Sequence, residues 1–230
     1  INKIWKIIRK SISGYLIKKS YQRTFTNRII KSEELFKRNE KHIQFNSLQI
    51  KSKFYNNYCP IIFLMINIAE LKQYADNGNE DAMVEYGLHL FRGEGVPENK
   101  TEAARYFKMA ADRGHADGAA QYAQSLYLGE GIPVDWAESA RYYQMAVDQN
   151  DYGAMHNLGL MLHNGHGVPV NKPLSAHYFK TAADNGITNS MFSYASMCFK
   201  GDGIPENKQE SAKYCKMAAD NGHKTAMKMY

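Results

Sequence analysis

Cysteine is scarce in this chain: three in 230 residues, Cys59, Cys198 and Cys215, an odd number without framework spacing. That excludes a disulfide scaffold and favours a reducing compartment, so a cytoplasmic location is expected. Long apolar runs are missing too. The longest, Ile61 to Ile66, falls far short of the roughly 20 residues that span a bilayer as a helix. No HExxH or cysteine-rich ligand spacing supports a metal site, and no Ser-x-x-Lys supports a serine nucleophile. No catalytic residue, metal, cofactor or small-molecule substrate is therefore expected.

Acid is absent before Glu33, and the charge is unevenly spread. Residues 1–60 carry 14 Lys and Arg against 3 acids, a net of +11, while 61–230 carry 15 against 20, a net of −5. Two regions of different character follow: a basic, aromatic-rich leader over 1–66 and a second domain over 67–230. In the leader, Ile1, Ile4, Trp5, Ile8, Ile12, Tyr15 and Leu16 keep helical spacing among Lys3, Lys6, Arg9, Lys10, Lys18 and Lys19. A basic amphipathic helix of this kind suits an anionic membrane surface, nucleic acid or organelle targeting. The plainer reading is a charged extension, helical or poorly ordered. Rings at Tyr21, Phe25, Phe36, Phe45, Phe54, Tyr55 and Tyr58 alternate with cations as in single-strand binding, but no RNA-binding signature accompanies them.

What the chain has in abundance is repetition. Gly-Glu-Gly-Val-Pro at 93–97 returns as Gly129 to Pro133, Gly165 to Pro169 and Gly201 to Pro205, each time after 36 residues. A fixed period of that size signals stacked supersecondary units. Ala82, Gly118, Ala154, Ser190 and Ala226 form one small column, and Gly87, Ala123, Gly159 and Ala195 another; small residues in register let helices approach closely. After each loop stands Asn99, Asp135, Asn171 or Asn207, an N-cap residue, with Glu102, Glu138 and Glu210 at the third helical position of three repeats. Gly114, Asn150, Gly186 and Gly222 close the second helices in the left-handed conformation. The spacing predicts one antiparallel helical hairpin per repeat, over about 79–114, 115–150, 151–186 and 187–222, with a partial fifth at 223–230. Ala75 to Gly78 resemble the end of a second helix and suggest a degenerate leading unit. A phosphate-cradling role for the glycine loops is disfavoured, because a helix rather than a strand precedes each one.

The pattern A-x-x-x-[YL]-[GA]-x-x-[LC]-x-x-G-x-G-[VI]-P, then Asn or Asp, then A-x-[YF] and A-A-D-x-G, resembles the Sel-1-like repeat family, relatives of the tetratricopeptide repeats, over roughly 78–230. The resemblance implies an all-α, right-handed α/α superhelical solenoid of about four hairpins, acting as an adaptor that holds a protein or peptide in a concave groove. Cysteine-rich secreted relatives have been linked to β-lactam hydrolysis, but no cysteine column repeats here; Cys198 and Cys215 fall in core columns on the two helices of one hairpin, where a bridge is geometrically conceivable.

In such superhelices the first helices line the groove. Positions off the packing face then give the expected partner-binding set: Val84, Leu88, Phe91, Gln121, Gln124, Tyr127, His156, Leu160, His163, Phe192, Ser196 and Phe199, with Phe91, Tyr127 and Phe199 as aromatic anchors. The column of Phe91 is equally well explained as packing between neighbouring hairpins. The first residue is Ile, and Thr225 to Tyr230 repeats Asp81 to Tyr86, so a piece of a longer protein is expected. The alternative function is a regulatory or targeting segment of a larger enzyme, for example a kinase-like protein, whose catalytic domain lies elsewhere.

Overall fold

The computed structural model describes residues 60–229. The expectations placed on the leader before residue 60 lie outside the described residues. The described residues divide into two compact units, 60–71 with Gly93–Pro97, and Lys72–Arg92 with 98–229. Among the described residues the first unit holds the start of helix α1 (Pro60–Asp76) and the first Gly-Pro loop, whose Gly93 and Gly95 have φ of 68° and 75°. Helix α1 runs straight through the 66/67 boundary expected between the leader and the repeats.

The second unit is a stack of helical hairpins, with no strand among the described residues. They are α2 (Glu80–Arg92) with α3 (Lys100–Ala111), α4 (Ala116–Leu128) with α5 (Trp136–Val147), α6 (Tyr152–Asn164) with α7 (Lys172–Asp184), and α8 (Thr188–Lys200) with α9 (Lys208–Asp220). The last element is α10 (Lys224–Met229). Neither helix of a hairpin buries its apolar face alone, so the hairpins stack and share a continuous core. None of the described helices is long and apolar enough to cross a membrane.

The small columns do what their size requires. Ala82, Gly118, Ala154, Ser190 and Ala226 are all buried. A Cβ on Gly87 would stand 2.5 Å from Phe107 Cε1, and one on Gly159 2.8 Å from Phe179 Cε1. Cys198 and Cys215 are both free thiols.

Local geometry follows from the loop residues. Asn99, Asp135, Asn171 and Asn207 each accept a hydrogen bond on the side chain from the backbone N–H three residues on, at 3.0–3.1 Å. Their own backbone N–H groups donate to Leu90, Leu126, Leu162 and Cys198 carbonyls at 2.8–3.0 Å. That second bond explains a departure from the expected capping box: the cap N–H is already occupied. Glu102 and Glu138 turn instead to Arg105 and Arg141, while Glu210 accepts from the Tyr194 hydroxyl at 3.2 Å. Gly114, Asn150, Gly186 and Gly222 close their helices with φ of 89°, 64°, 93° and 84°, as the sequence predicts.

Candidate partner-binding surface

The first helices α2, α4, α6 and α8 carry the twelve residues expected to meet a partner, and the structure divides them by column. The column of Val84 is consumed by stacking. Val84 is buried, and its counterparts His156 and Phe192 are half-buried against the next repeat. His156 Nδ1 lies 2.8 Å from Ser190 Oγ, and its ring centre 5.5 Å from that of Phe179. Burial pushes the His156 imidazole below its ordinary value. The Phe192 ring stacks on His223 at 4.4 Å. Helical-wheel reasoning places this column off the hairpin's own core; adjacent first helices are close enough to close over it.

The columns of Leu88 and Glu85 keep a free face. Gln124 and Glu85 are exposed, and Leu88, Gln121, Leu160 and Ser196 are half-buried. These side chains form a surface along the first helices that no hairpin contact uses up entirely.

The column of Phe91 goes to the edge where successive loops meet. Three positions recur together there: one from the end of a first helix, one from the start of the second helix, and one from the following loop. At the junction of repeats one and two, Lys100 Nζ sits 4.8 Å from the Phe91 ring centre and pairs with Glu130 at 2.8 Å. At the junction of repeats three and four, Asp202 receives Lys172 at 2.6 Å and His163 at 2.8 Å. Lys172 first and His163 second hold the Asp202 carboxyl below its usual range. Between repeats two and three the same positions are Tyr127, Trp136 and His166. Trp136 stacks on His166 at 4.5 Å and 15°, its indole N–H donates to the Tyr127 carbonyl at 3.2 Å, and the Tyr127 hydroxyl lies 2.8 Å from His166 Nδ1. Phe199 is exposed. Of the proposed aromatic anchors, Tyr127 is therefore tied into a junction, Phe91 lies under Lys100, and Phe199 alone stands in solvent.

Beneath these triads the second loop glycine seats each repeat on the one before. A Cβ on Gly131 would fall 2.3 Å from the Lys100 carbonyl carbon, and one on Gly167 2.3 Å from that of Trp136. Both also have positive φ, 81° and 71°, so glycine is required twice over.

The opposite end of each junction is a clasp that the sequence left unremarked. The hydroxyls of Tyr106, Tyr142 and Tyr214 donate to Asp76, Asp112 and Asp184 of the preceding unit at 2.6, 2.9 and 2.5 Å. Lys72, Lys108 and Lys180 pair with the same carboxylates. The Asp76 carboxyl is held low by Lys72 and then Tyr106; at Asp112 and Asp184 burial works the other way but is outweighed by the lysine and tyrosine hydrogen bonds. Among the described residues only the clasp between repeats two and three lacks a cation: Gln144 donates to Asp148 at 2.8 Å and accepts from Tyr178 at 3.4 Å. The period of 36 was the signal that could have found both triads and clasps, had charged columns been aligned as the small ones were. Among the described residues no three His, Cys, Asp or Glu side chains gather as a metal site.

Comparison with known proteins places this geometry. The family model described as Sel1 repeat matches residues 80–115, 116–151, 153–187 and 188–223. Among solved structures the chain is similar to a protective antigen of uropathogenic Escherichia coli displaying an SLR fold. The two share 30% identity and a TM-score of 0.67, over 69% of this chain and 34% of that one. It is also similar to a Sel1 repeat protein from Oxalobacter formigenes, with 26% identity and a TM-score of 0.68, over 72% of this chain and 66% of that one. The chain thus covers about a third and just under two thirds of the lengths of these relatives. No curated protein matches.

Proposed function

The chain belongs to the Sel1 repeat family, and on that premise we propose that it is a non-enzymatic scaffold holding a partner protein or peptide along its first helices. Proteins of this family generally mediate protein–protein interaction on a repeat fold that is itself non-catalytic. The observation that carries the finer reading is the surface left over after stacking: Glu85 and Gln124 exposed, with Leu88, Gln121, Leu160 and Ser196 half-covered beside them. Half-covered apolar side chains among short polar ones suit an extended or helical segment, with the apolar groups supplying affinity and the amides register. Val84, His156 and Phe192 support that surface from beneath, and Phe91, Tyr127 and His163 hold its loop edge. Cytoplasmic location belongs to the same reading and rests on the scarcity of cysteine; fractionation of cells carrying a tagged chain tests it.

The test of the surface is site-specific photocrosslinking in cells. A photoreactive residue at Gln124 is expected to give a discrete adduct that the same residue at Lys213, on the opposite helix, does not. Leu88→Glu with Leu160→Glu should abolish the adduct while helicity is kept. Equal adducts from both positions, or none at Gln124, would remove the first-helix surface as the binding face.

A further inference from the structure

The loop edge of the stack carries a second surface, distinct from the first-helix face. Of the positions occupied by Leu128, Val134 and Trp136 in repeat two, the counterparts in repeat one are Arg92, Glu98 and Lys100, and in repeat four Lys200, Glu206 and Lys208. Repeat three is intermediate, with Asn164, Val170 and Lys172. The end repeats are charged at all three places, and repeat two is apolar at all three. Its side chains are not tucked away: Leu128 is 53% exposed, Val134 54%, Trp136 42%, and Val170 beside them 57%. Trp136 serves the junction with repeat three, but nothing in the fold needs Leu128 or Val134 to be apolar, because repeats one and four build the same turn with charges at those places. A contiguous exposed apolar patch with a charged rim marks an interaction site.

The rim says what fits. Arg92, Glu98 and Lys200 are exposed and have no ion pair among the described residues, and Glu206 is shared with its own Lys208 at 3.2 Å between two exposed side chains, whereas Lys100 and Lys172 are neutralised by Glu130 and Asp202. In repeats two and three the two outer columns flank the first loop glycine: a Cβ on Gly129 would stand 2.8 Å from Val134 Cγ2, and one on Gly165 2.8 Å from Val170 Cγ2. In each end repeat the first column is cationic and the second acidic. A second copy turned by 180° about a line parallel to the stack exchanges the two columns. Arg92 then faces Glu98 of the second copy, Leu128 faces Val134, Asn164 faces Val170, and Lys200 faces Glu206. Turning the copy end for end instead sets Arg92 against Lys200 and Glu98 against Glu206, which repel. Closed two-fold contacts require a self-complementary patch of this kind, and charge selects one register. We propose that the loop edge centred on Leu128, Val134 and Trp136 docks a second copy of this chain, side by side and in the same stacking direction.

Sedimentation equilibrium of the 230-residue chain tests this. A reversible monomer–dimer equilibrium is expected. Leu128→Arg with Val134→Glu installs repeat one's own residues and leaves Trp136 in its junction, so the hairpin should fold with unchanged far-UV circular dichroism, and the dissociation constant should rise about a hundredfold. Arg92→Glu with Lys200→Glu should weaken the dimer about tenfold, and adding Glu98→Arg with Glu206→Lys should restore it. Trp136 also reports directly: with Trp5→Phe it is the chain's single tryptophan, and its emission should move to shorter wavelength as the dimer forms. A chain monomeric at every concentration, a dimer that survives the Leu128→Arg with Val134→Glu substitution, or a charge exchange that fails to restore association overturns the proposal. Photocrosslinking at Gln124 is independent of this result, so either surface can fail without the other.

Discussion

The junction between repeats two and three and the junctions on either side of it perform one mechanical task with different chemistry. On both flanks a lysine meets a carboxylate at each end of the contact, Lys100 with Glu130 and Lys108 with Asp112 on one side, Lys172 with Asp202 and Lys180 with Asp184 on the other. In the middle Trp136 lies on His166 and Gln144 bridges Asp148 to Tyr178. The geometry is preserved because the part that fixes it is common to all three, the second loop glycine seated against the preceding helix start at Gly131, Gly167 and Gly203, while within the hairpins of repeats two to four the Ser139, Ser175 and Ser211 hydroxyls donate to the Ala123, Gly159 and Ala195 carbonyls at 2.7–2.8 Å. Backbone seating sets the stack, and side chains tune how it responds to salt, pH and partners.

The largest effect should come from the common part. Gly131→Ala and Gly167→Ala each force a positive-φ strain and a carbonyl clash, costing more than about 2 kcal/mol each. Urea denaturation should show similar losses at the charged and the uncharged junction; a loss confined to one would mean the seat is not general. Next come the clasps. Tyr142→Phe removes a hydroxyl bonded to a lysine-paired carboxylate and should cost about 1–2 kcal/mol, while Tyr178→Phe removes a longer bond to an amide and should cost about 0.5–1 kcal/mol. Equal losses would erase the distinction between the junctions.

Acid sharpens the same contrast. Carboxylates held low in the folded state, as at Asp76, Asp112, Asp184 and Asp202, stabilise it above their unfolded value of about 3.9 and lose that contribution as pH falls further. His156 acts in a higher window. Its folded value is lowered by burial, so its stabilising contribution is complete above the ordinary imidazole value of about 6.5 and declines as pH drops below it. His156→Phe, which copies Phe192 in the same column, should flatten the pH dependence of stability between about 5 and 7; an unchanged profile would show that the buried imidazole is not linked to folding. The smallest effect is that of salt. Screening should loosen the flanking junctions more than the middle one, and amide exchange along α3 and α7 should quicken with ionic strength more than along α5.

Much of this was legible in the sequence. The period of 36, the caps at Asn99, Asp135, Asn171 and Asn207, the left-handed closures at Gly114 and its counterparts, and the small columns around Ala123 all stand in the structure as read. The candidate site was less legible. Val84 and Phe192 look outward on an isolated helix and are covered by the next one; Trp136 and His166 carried no recognised motif at all.

The sequence alone determined the hairpin and its repetition, because caps, turns and helix faces depend on residues three to nine apart and the pattern is written four times. Only the tertiary structure decided which columns face each other across a junction. Those contacts join different columns 30 to 39 residues apart, Lys100 to Glu130, Tyr142 to Asp112 and Tyr127 to His166. Their pairing depends on the offset between stacked hairpins, which no single repeat encodes.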